Sequence, residues 1–244
     1  MNPYPTQQPS PPPPVPSGRV FKPVLTYTLL GVTVGFYLLQ LLSQFALGDD
    51  WLSILGIKFG PWIRAGELWR LITPVFLHGS ILHIAFNMYG LFLFGPRLEL
   101  RFGRARFALL YFLSAFAGNV LSFLLTPNPS LGASTAIFGL LAAEGMYLVQ
   151  NRELIGERSR AEIINILVIA GYNLLIGFAG NRVDNWGHIG GLLGGLIFTW
   201  FGGPRFRLEG YRLVDERQGH GILAGTVAVL LFFIPLAVLG WFWY

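Results

Sequence analysis

Ser134, His188, His83 and Asn87 are the side chains whose types and settings suit acyl-transfer chemistry. Ser134 lies in Gly132-Ala133-Ser134-Thr135-Ala136-Ile137-Phe138-Gly139, at the head of an apolar run that continues to about Val149. Small neighbours let another group approach the hydroxyl closely. A helix N-terminus also offers unpaired backbone N–H groups and a positive dipole end to a developing negative charge. His188 sits in Gly187-His188-Ile189-Gly190-Gly191-Leu192-Leu193-Gly194-Gly195. Its glycines form two small-xxx-small repeats, Gly187/Gly191/Gly195 and Gly190/Gly194, which permit close helix contact. Packing these on the small residues of the Ser134 run (Ala136, Gly139, Ala142, Ala143) would bring imidazole to hydroxyl, the nucleophile–base pair of a serine hydrolase. His83 and Asn87 are one helical turn apart and share a face. With the Ser134 N–H they would form an oxyanion hole. Each piece also has a plainer reading: small residues beside a serine serve tight helix packing, and a lone intramembrane His or Asn serves a helix–helix hydrogen bond.

The elements that must position these groups are membrane spans. Of 244 residues, 53% are hydrophobic and 12% charged, about half the charged share of a soluble chain. Apolar runs cover about 24–47, 82–98, 105–125, 133–150, 163–180, 186–202 and 222–243, each close to the ~20 residues a spanning helix needs. The expected fold class is all-α, a polytopic membrane helix bundle. Residues 1–20 form a disordered Pro-rich tail, lacking the n-region and h-region of a secretory signal. The loop 48–81 is rich in Trp and Gly and is expected to lie partly in the membrane interface. Trp241-Phe242-Trp243-Tyr244 reads as an aromatic belt.

Charge orients the bundle. With the N-terminus inside, Arg19, Lys22, Arg97, Arg101, Arg104, Arg106, Arg152, Arg158, Arg160, Arg205, Arg207, Arg212 and Arg217 fall on the cytoplasmic side. Lys58, Arg64, Arg70 and Arg182 fall on the other. That bias predicts a cytoplasmic N-terminus and a C-terminus outside, in a bacterial-type plasma membrane. The second, fourth and sixth runs then all start near the outer leaflet, and they start with His83, Ser134 and His188. Intramembrane ionisable residues at one depth favour a functional reading.

Other chemistries fit less well. The chain has no cysteine, so no thiol nucleophile or Cys-based metal site is expected. His78, His83 and His188 lack the His-Glu-x-x-His spacing of a zinc protease, so neither metal nor cofactor is expected. Asp49, Asp50, Asp184 and Asp215 all lie outside the spans, against an aspartyl protease. No paired intramembrane charges suggest a transporter. The net charge of +5 does not imply nucleic acid, because the basic residues sit in short loops.

The motifs Trp69-Arg70, His83-Ile84-Ala85-Phe86-Asn87, Gly132-Ala133-Ser134 and Gly187-His188-Ile189-Gly190-Gly191, with Gly95, Leu98, Glu99 and Gly103, resemble those of the rhomboid family of intramembrane serine proteases. The resemblance spans about residues 50–200. It implies a six-helix catalytic core at 21–203, with a cytoplasmic loop and a seventh transmembrane helix at 204–244. It implies a Ser134–His188 dyad without a carboxylate, and an oxyanion hole from His83, Asn87 and the Ser134 N–H. Substrates would be transmembrane helices of other proteins in the lipid bilayer, cut near the outer face. The alternative is a catalytically weak relative that binds and escorts membrane clients.

Two positions depart from the family pattern. Thr135 stands where Gly usually follows the serine, and its β-branched side chain is expected to narrow the oxyanion pocket or alter helix packing. Phe138 stands where Tyr usually stacks on the histidine. Asp184, one turn before His188, is read as loop or capping chemistry, and Trp69 with Arg70 as an anchor of the first loop. His78 is read as structural, and His220 suggests nothing. Glu144, about 15 Å along the helix from Ser134, is read as a structural hydrogen-bond acceptor.

Overall fold

The computed structural model describes residues 21–179 and 183–242. The Pro-rich tail with Arg19, the topology marker Arg182, and Trp243 and Tyr244 lie outside the described residues. Helix α1 (Val24–Leu47) is followed by two short helices, α2 (Trp51–Gly56) and α3 (Gly60–Arg64), and two 3-10 turns. Long helices α4 (Ile81–Phe102), α5 (Arg104–Leu125) and α6 (Ser134–Gln150) come next. The one-turn α7 (Arg152–Ile155) leads to α8 (Arg158–Ala179) and α9 (Asn185–Gly202). An antiparallel hairpin, β1 (Phe206–Glu209) and β2 (Arg212–Asp215), precedes α10 (Gly221–Phe242).

All seven apolar runs are long helices, giving a polytopic helical bundle. On length and composition, α1, α5, α8 and α10 are able to cross a membrane unaided. The other three, α4, α6 and α9, carry His83 and Asn87, Ser134, and His188. Two runs are longer than their apolar cores. Helix α4 continues through Arg97, Glu99 and Arg101, and α8 starts at Arg158. The stretch 204–220, expected as plain loop, holds the hairpin.

Helix α9 sits between α5 and α6, and its two glycine stripes serve different neighbours. A Cβ on Gly191 or Gly195 would overlap the carbonyl oxygens of Thr135 and Gly139, so this stripe meets α6. The contacts advance together in sequence, and α6 and α9 therefore run parallel. A Cβ on Gly190 would lie 2.6 Å from the Ala117 carbonyl, and one on Gly194 2.6 Å from the Ala117 Cβ. That second stripe meets α5, which runs the opposite way. Backbones approach this closely only where side chains are missing, and lipid supplies no hydrophobic force to hold wider seams together. Helix α10 joins by the same device, with Gly221 and Gly225 against Gly202.

At the far end of the bundle, Glu99 of α4 is fully buried and accepts hydrogen bonds from the Leu25 and Thr26 amides (3.0 and 2.7 Å) and from the Thr26 hydroxyl (2.8 Å). A carboxylate thus occupies the positive end of α1. Gly95, one turn earlier, makes room for Thr26. Glu144 pairs with Arg101, whose guanidinium also covers the Tyr147 ring at 4.7 Å.

Substituting Gly191→Ala drives a methyl group into backbone rather than into a movable side chain. It is expected to lower stability by about 1–3 kcal/mol and to separate α6 from α9. Gly31→Ala, at a position with open space around it, is expected to be neutral. Thermal unfolding of the two variants in detergent checks the contrast.

Candidate active site

The first loop and the α5–α6 connection carry irregular backbone, whose polar groups need internal partners at membrane depth. Arg70 supplies several. Buried, it donates to the Ile57 and Ile54 carbonyls (3.0 and 2.9 Å) and to Glu67, and lies 4.2 Å from the Trp62 ring centre. Trp69 donates to the Leu55 carbonyl (3.1 Å), so the pair anchors the loop as its residue types suggest.

Lys58 ties this loop to the segment entering α6. Its backbone pairs with Ser130 in both directions at 2.9 Å. Its ammonium, on a fully buried side chain, donates to the Asn128 and Thr126 carbonyls (2.6 and 3.3 Å). Burial pushes this group down to about 8, partly offset by the negative charge of Asp184. Gly132 then donates to the Pro74 carbonyl (2.9 Å) and has a φ of +130°. A side chain there would be strained and would also strike the His83 ring, whose Nε2 lies 2.7 Å from where a Cβ would sit.

These constraints deliver Ser134 to the first position of α6. No side chain caps this helix N-terminus, so its leading amides lack intrahelical acceptors and remain available to a ligand. His188 reaches across the glycine seam, with Nε2 2.9 Å from the Ser134 Oγ. The Phe138 ring stacks on the imidazole at 4.2 Å and 12°, so the departure from Tyr keeps the stack and loses only the hydroxyl. The His188 Nδ1 is buried without a partner. Asp184 is engaged elsewhere: it caps α9 through the Gly187 amide (2.9 Å) and accepts from the Ser122 hydroxyl.

His83 stands beside the pair, its imidazole packed against Gly132. Asn87 lies one turn further along α4, buried, with its amide donating to the His83 carbonyl (2.9 Å). The four predicted residues therefore differ in placement. Ser134, His188 and His83 meet, while Asn87 faces the same way but is partly engaged by its own helix.

His78 comes closer than its loop position suggested. It lies edge-on to His83 (5.0 Å between centres), and its Nε2 accepts from the Ala133 amide (3.4 Å). Burial, reinforced by the charge that His83 would carry, pushes it down to about 3, so the ring is a neutral acceptor. Gln40 of α1 fixes His78 by bonding both its backbone amide and its carbonyl (3.0 and 3.2 Å). Gln40 and Lys58 were not singled out from sequence. Their only signal was polarity, one inside an apolar run and one inside a semi-apolar loop.

Thr135 does not enter the site. Its side chain fills a hollow made by absent side chains at Gly118 and Gly187, where a Cβ would lie 2.6 and 3.2 Å from it. The expected narrowing of the oxyanion pocket gives way to helix packing, the other outcome foreseen for this residue. His220 is exposed beyond the hairpin. Among the described residues no cluster of His, Cys, Asp or Glu is arranged to hold a metal.

Comparison with known proteins follows the same residues. The Rhomboid domain family matches residues 65–205, which hold all four predicted side chains and exclude α1 and α10. Rhomboid protease GluP of Bacillus subtilis is 38% identical over 80% of this chain and 38% of its own length. Rhomboid-like protease 3 of Toxoplasma gondii is 34% identical over 71% of this chain and 68% of its own. The putative rhomboid protease YdcA of Bacillus subtilis is 36% identical over 61% of this chain and 73% of its own. This chain thus spans well under half of GluP and about two thirds or more of the other two.

Two predictions test this scaffold. Thr135→Val keeps the shape and removes a buried hydroxyl that has no partner. It is expected to leave the fold as stable as before or up to about 1 kcal/mol more so, as read by thermal unfolding. Lys58 binds its proton more weakly folded than unfolded. Between about pH 8 and 10.5 the unfolded chain therefore holds more protons, and stability rises with pH. Lys58→Met is expected to flatten that rise in melting temperatures measured across the window.

Proposed function

Because this chain belongs to the rhomboid family, we propose that it is a serine endopeptidase that cuts transmembrane segments of other membrane proteins. The observation that carries this reading is the 2.9 Å contact between the Ser134 Oγ and the His188 Nε2, beside an uncapped helix N-terminus. Relatives named rhomboid proteases support the protease class. The serine mechanism rests on the site itself.

The steps follow from the geometry. With its proton on Nδ1, His188 accepts the Ser134 hydroxyl proton at Nε2 as the oxygen attacks the scissile carbonyl. Phe138 holds the ring in plane for that transfer. The oxyanion forms at the head of α6, within reach of the Ser134 N–H and the His83 ring. The Asn87 amide has a second N–H besides the one given to the His83 carbonyl, and this would complete the hole. His188 then protonates the leaving amine, and water hydrolyses the acyl-enzyme. Among the described residues the His188 Nδ1 has no carboxylate partner, which supports a dyad.

The proposal carries an organisation. Residues 21–203 make the catalytic core, and 204–244 add the hairpin loop and a seventh helix. The site opens on the outer face, with the charged loops at 97–106, 152–160 and 205–217 inside. Substrates are helices locally unwound near that face.

Ser134→Ala and His188→Ala are each expected to reduce cleavage of a model transmembrane substrate in liposomes by about 10⁴-fold or more. Asn87→Ala is expected to lose about 10²–10³-fold. A fluorophosphonate probe is expected to label the native protein at Ser134. Client binding without labelling would identify an escort protein instead, and full cleavage by either dyad variant would end the mechanism.

A further inference from the structure

The connection between α9 and α10 is a built element rather than a slack tether. Asn151, at the end of α6, donates to the Pro204 carbonyl (3.1 Å) and accepts from the Phe206 amide (2.8 Å). Arg106, at the start of α5, pairs with Asp215 in a nearly buried ion pair. Arg217 donates to the Gly203 and Thr199 carbonyls (3.1 and 3.2 Å) and to the Gln150 side chain (3.2 Å). The root of the hairpin is therefore fixed to the ends of three spanning helices, on the face opposite Ser134.

Its register then decides where its side chains point. Phe206 pairs with Asp215 and Leu208 with Leu213, so these four share one side of the ribbon. Phe206 packs on Tyr147 of α6 (6.4 Å between ring centres) and Asp215 reaches Arg106. This side of the ribbon consequently looks at the bundle. Leu208 and Leu213 look the same way one pleat further out, where no helix covers them. They are 57% and 63% exposed, and Tyr211 at the tip is fully exposed. The opposite side carries Arg207, Glu209 and Arg212, with half-buried Val214 paired to Arg207. A ribbon with leucines toward the spanning helices, charges away from them and a tyrosine at the tip has the polarity of a membrane-interface element.

We propose that the hairpin Phe206–Asp215 is an interfacial anchor, whose Leu208, Leu213 and Tyr211 dip into the headgroup–acyl boundary of the leaflet opposite Ser134. The occupant of this apolar face is lipid, because its root is clamped to the ends of membrane helices and its leucine side turns toward them. The charged side faces water, where Arg207 pairs with Glu209. The anchor is independent of the dyad and holds whether or not Ser134 is catalytic.

The absence of cysteine makes the test clean. Leu213→Cys and Arg212→Cys, each labelled with an environment-sensitive fluorophore, are placed in lipid nanodiscs, where both membrane faces meet buffer. The Leu213→Cys label is expected to emit further to the blue. It should be quenched several-fold more strongly by doxyl-lipids, and less by iodide, than the Arg212→Cys label on the other side of the ribbon. Equal iodide quenching at the two positions would overturn the proposal and leave the leucine face as a water-exposed surface awaiting a protein partner.

Discussion

The close approach of α6 and α9 is the constraint on which the other features depend. Their seam is set by side chains that are not there. At Gly191 and Gly195 the backbone of α9 rests on the carbonyls of Thr135 and Gly139. Because the helices run parallel, their N-termini share one level, and a side chain at the start of each spans the gap. A seam wider by one methyl layer would leave the Ser134 Oγ and the His188 Nε2 beyond hydrogen-bond range. The stack of Phe138 on His188 depends on the same spacing, since Phe138 lies one turn below Ser134 on the same helix.

A seam fixes two helices but not the backbone leading into them. Ser134 is preceded by chain without regular structure, and such chain has no water to satisfy its carbonyls inside a membrane. Buried polar side chains take over that task. Lys58 holds the carbonyls at 126 and 128, Arg70 those at 54 and 57, and Asn119 that of Leu71. Gln40 grips His78 from α1, and His78 in turn meets the Ala133 amide. Each is expensive to bury alone, but each closes a backbone group that would otherwise be an orphan. The polar residues around the head of α6 therefore act as scaffolding for a segment that helix packing cannot reach.

How much of this was legible in the chain follows from the kind of signal each feature leaves. Long apolar runs mark spans directly, so all seven helices could be read. Glycines at i and i+4 mark a close-packing face, so the stripes on the His188 helix could be read too. The pairing of one stripe with the Ser134 helix could be read as a condition and is met at Thr135 and Gly139, whereas the pairing of the other with α5 left no mark, because spacing reports which residues share a face, not which neighbour fills it. Thr135 illustrates the same limit. Its bulk was plain, but its direction depended on Gly118 and Gly187, distant in sequence and adjacent only after folding. The hairpin was hidden because a short two-stranded ribbon among charged residues leaves almost no pattern, and its stability comes from Asn151 and Arg106 rather than from its own strands.

The division of labour among the helices explains why polar groups survive at this depth. Helices α4, α6 and α9, which bear His83 and Asn87, Ser134, and His188, are not among the four that are long and apolar enough to cross a membrane on length and composition alone. Helix α9 is rich in glycine and largely buried. Helix α5 lies against both α6 and α9, more than half buried across its apolar stretch. Helix α10 extends that shelter. It lies outside the segment shared with the rhomboid family, yet it packs on α5 and α9 through glycines, at Gly221, Gly225 and Gly240. Added helices that reuse the existing packing rule can cover the rear of a site without disturbing its front. Here the contacts of α10 on α9 fall at Phe198 and Gly202, at the end of the helix away from His188, so the contact between Ser134 and His188 lies outside them.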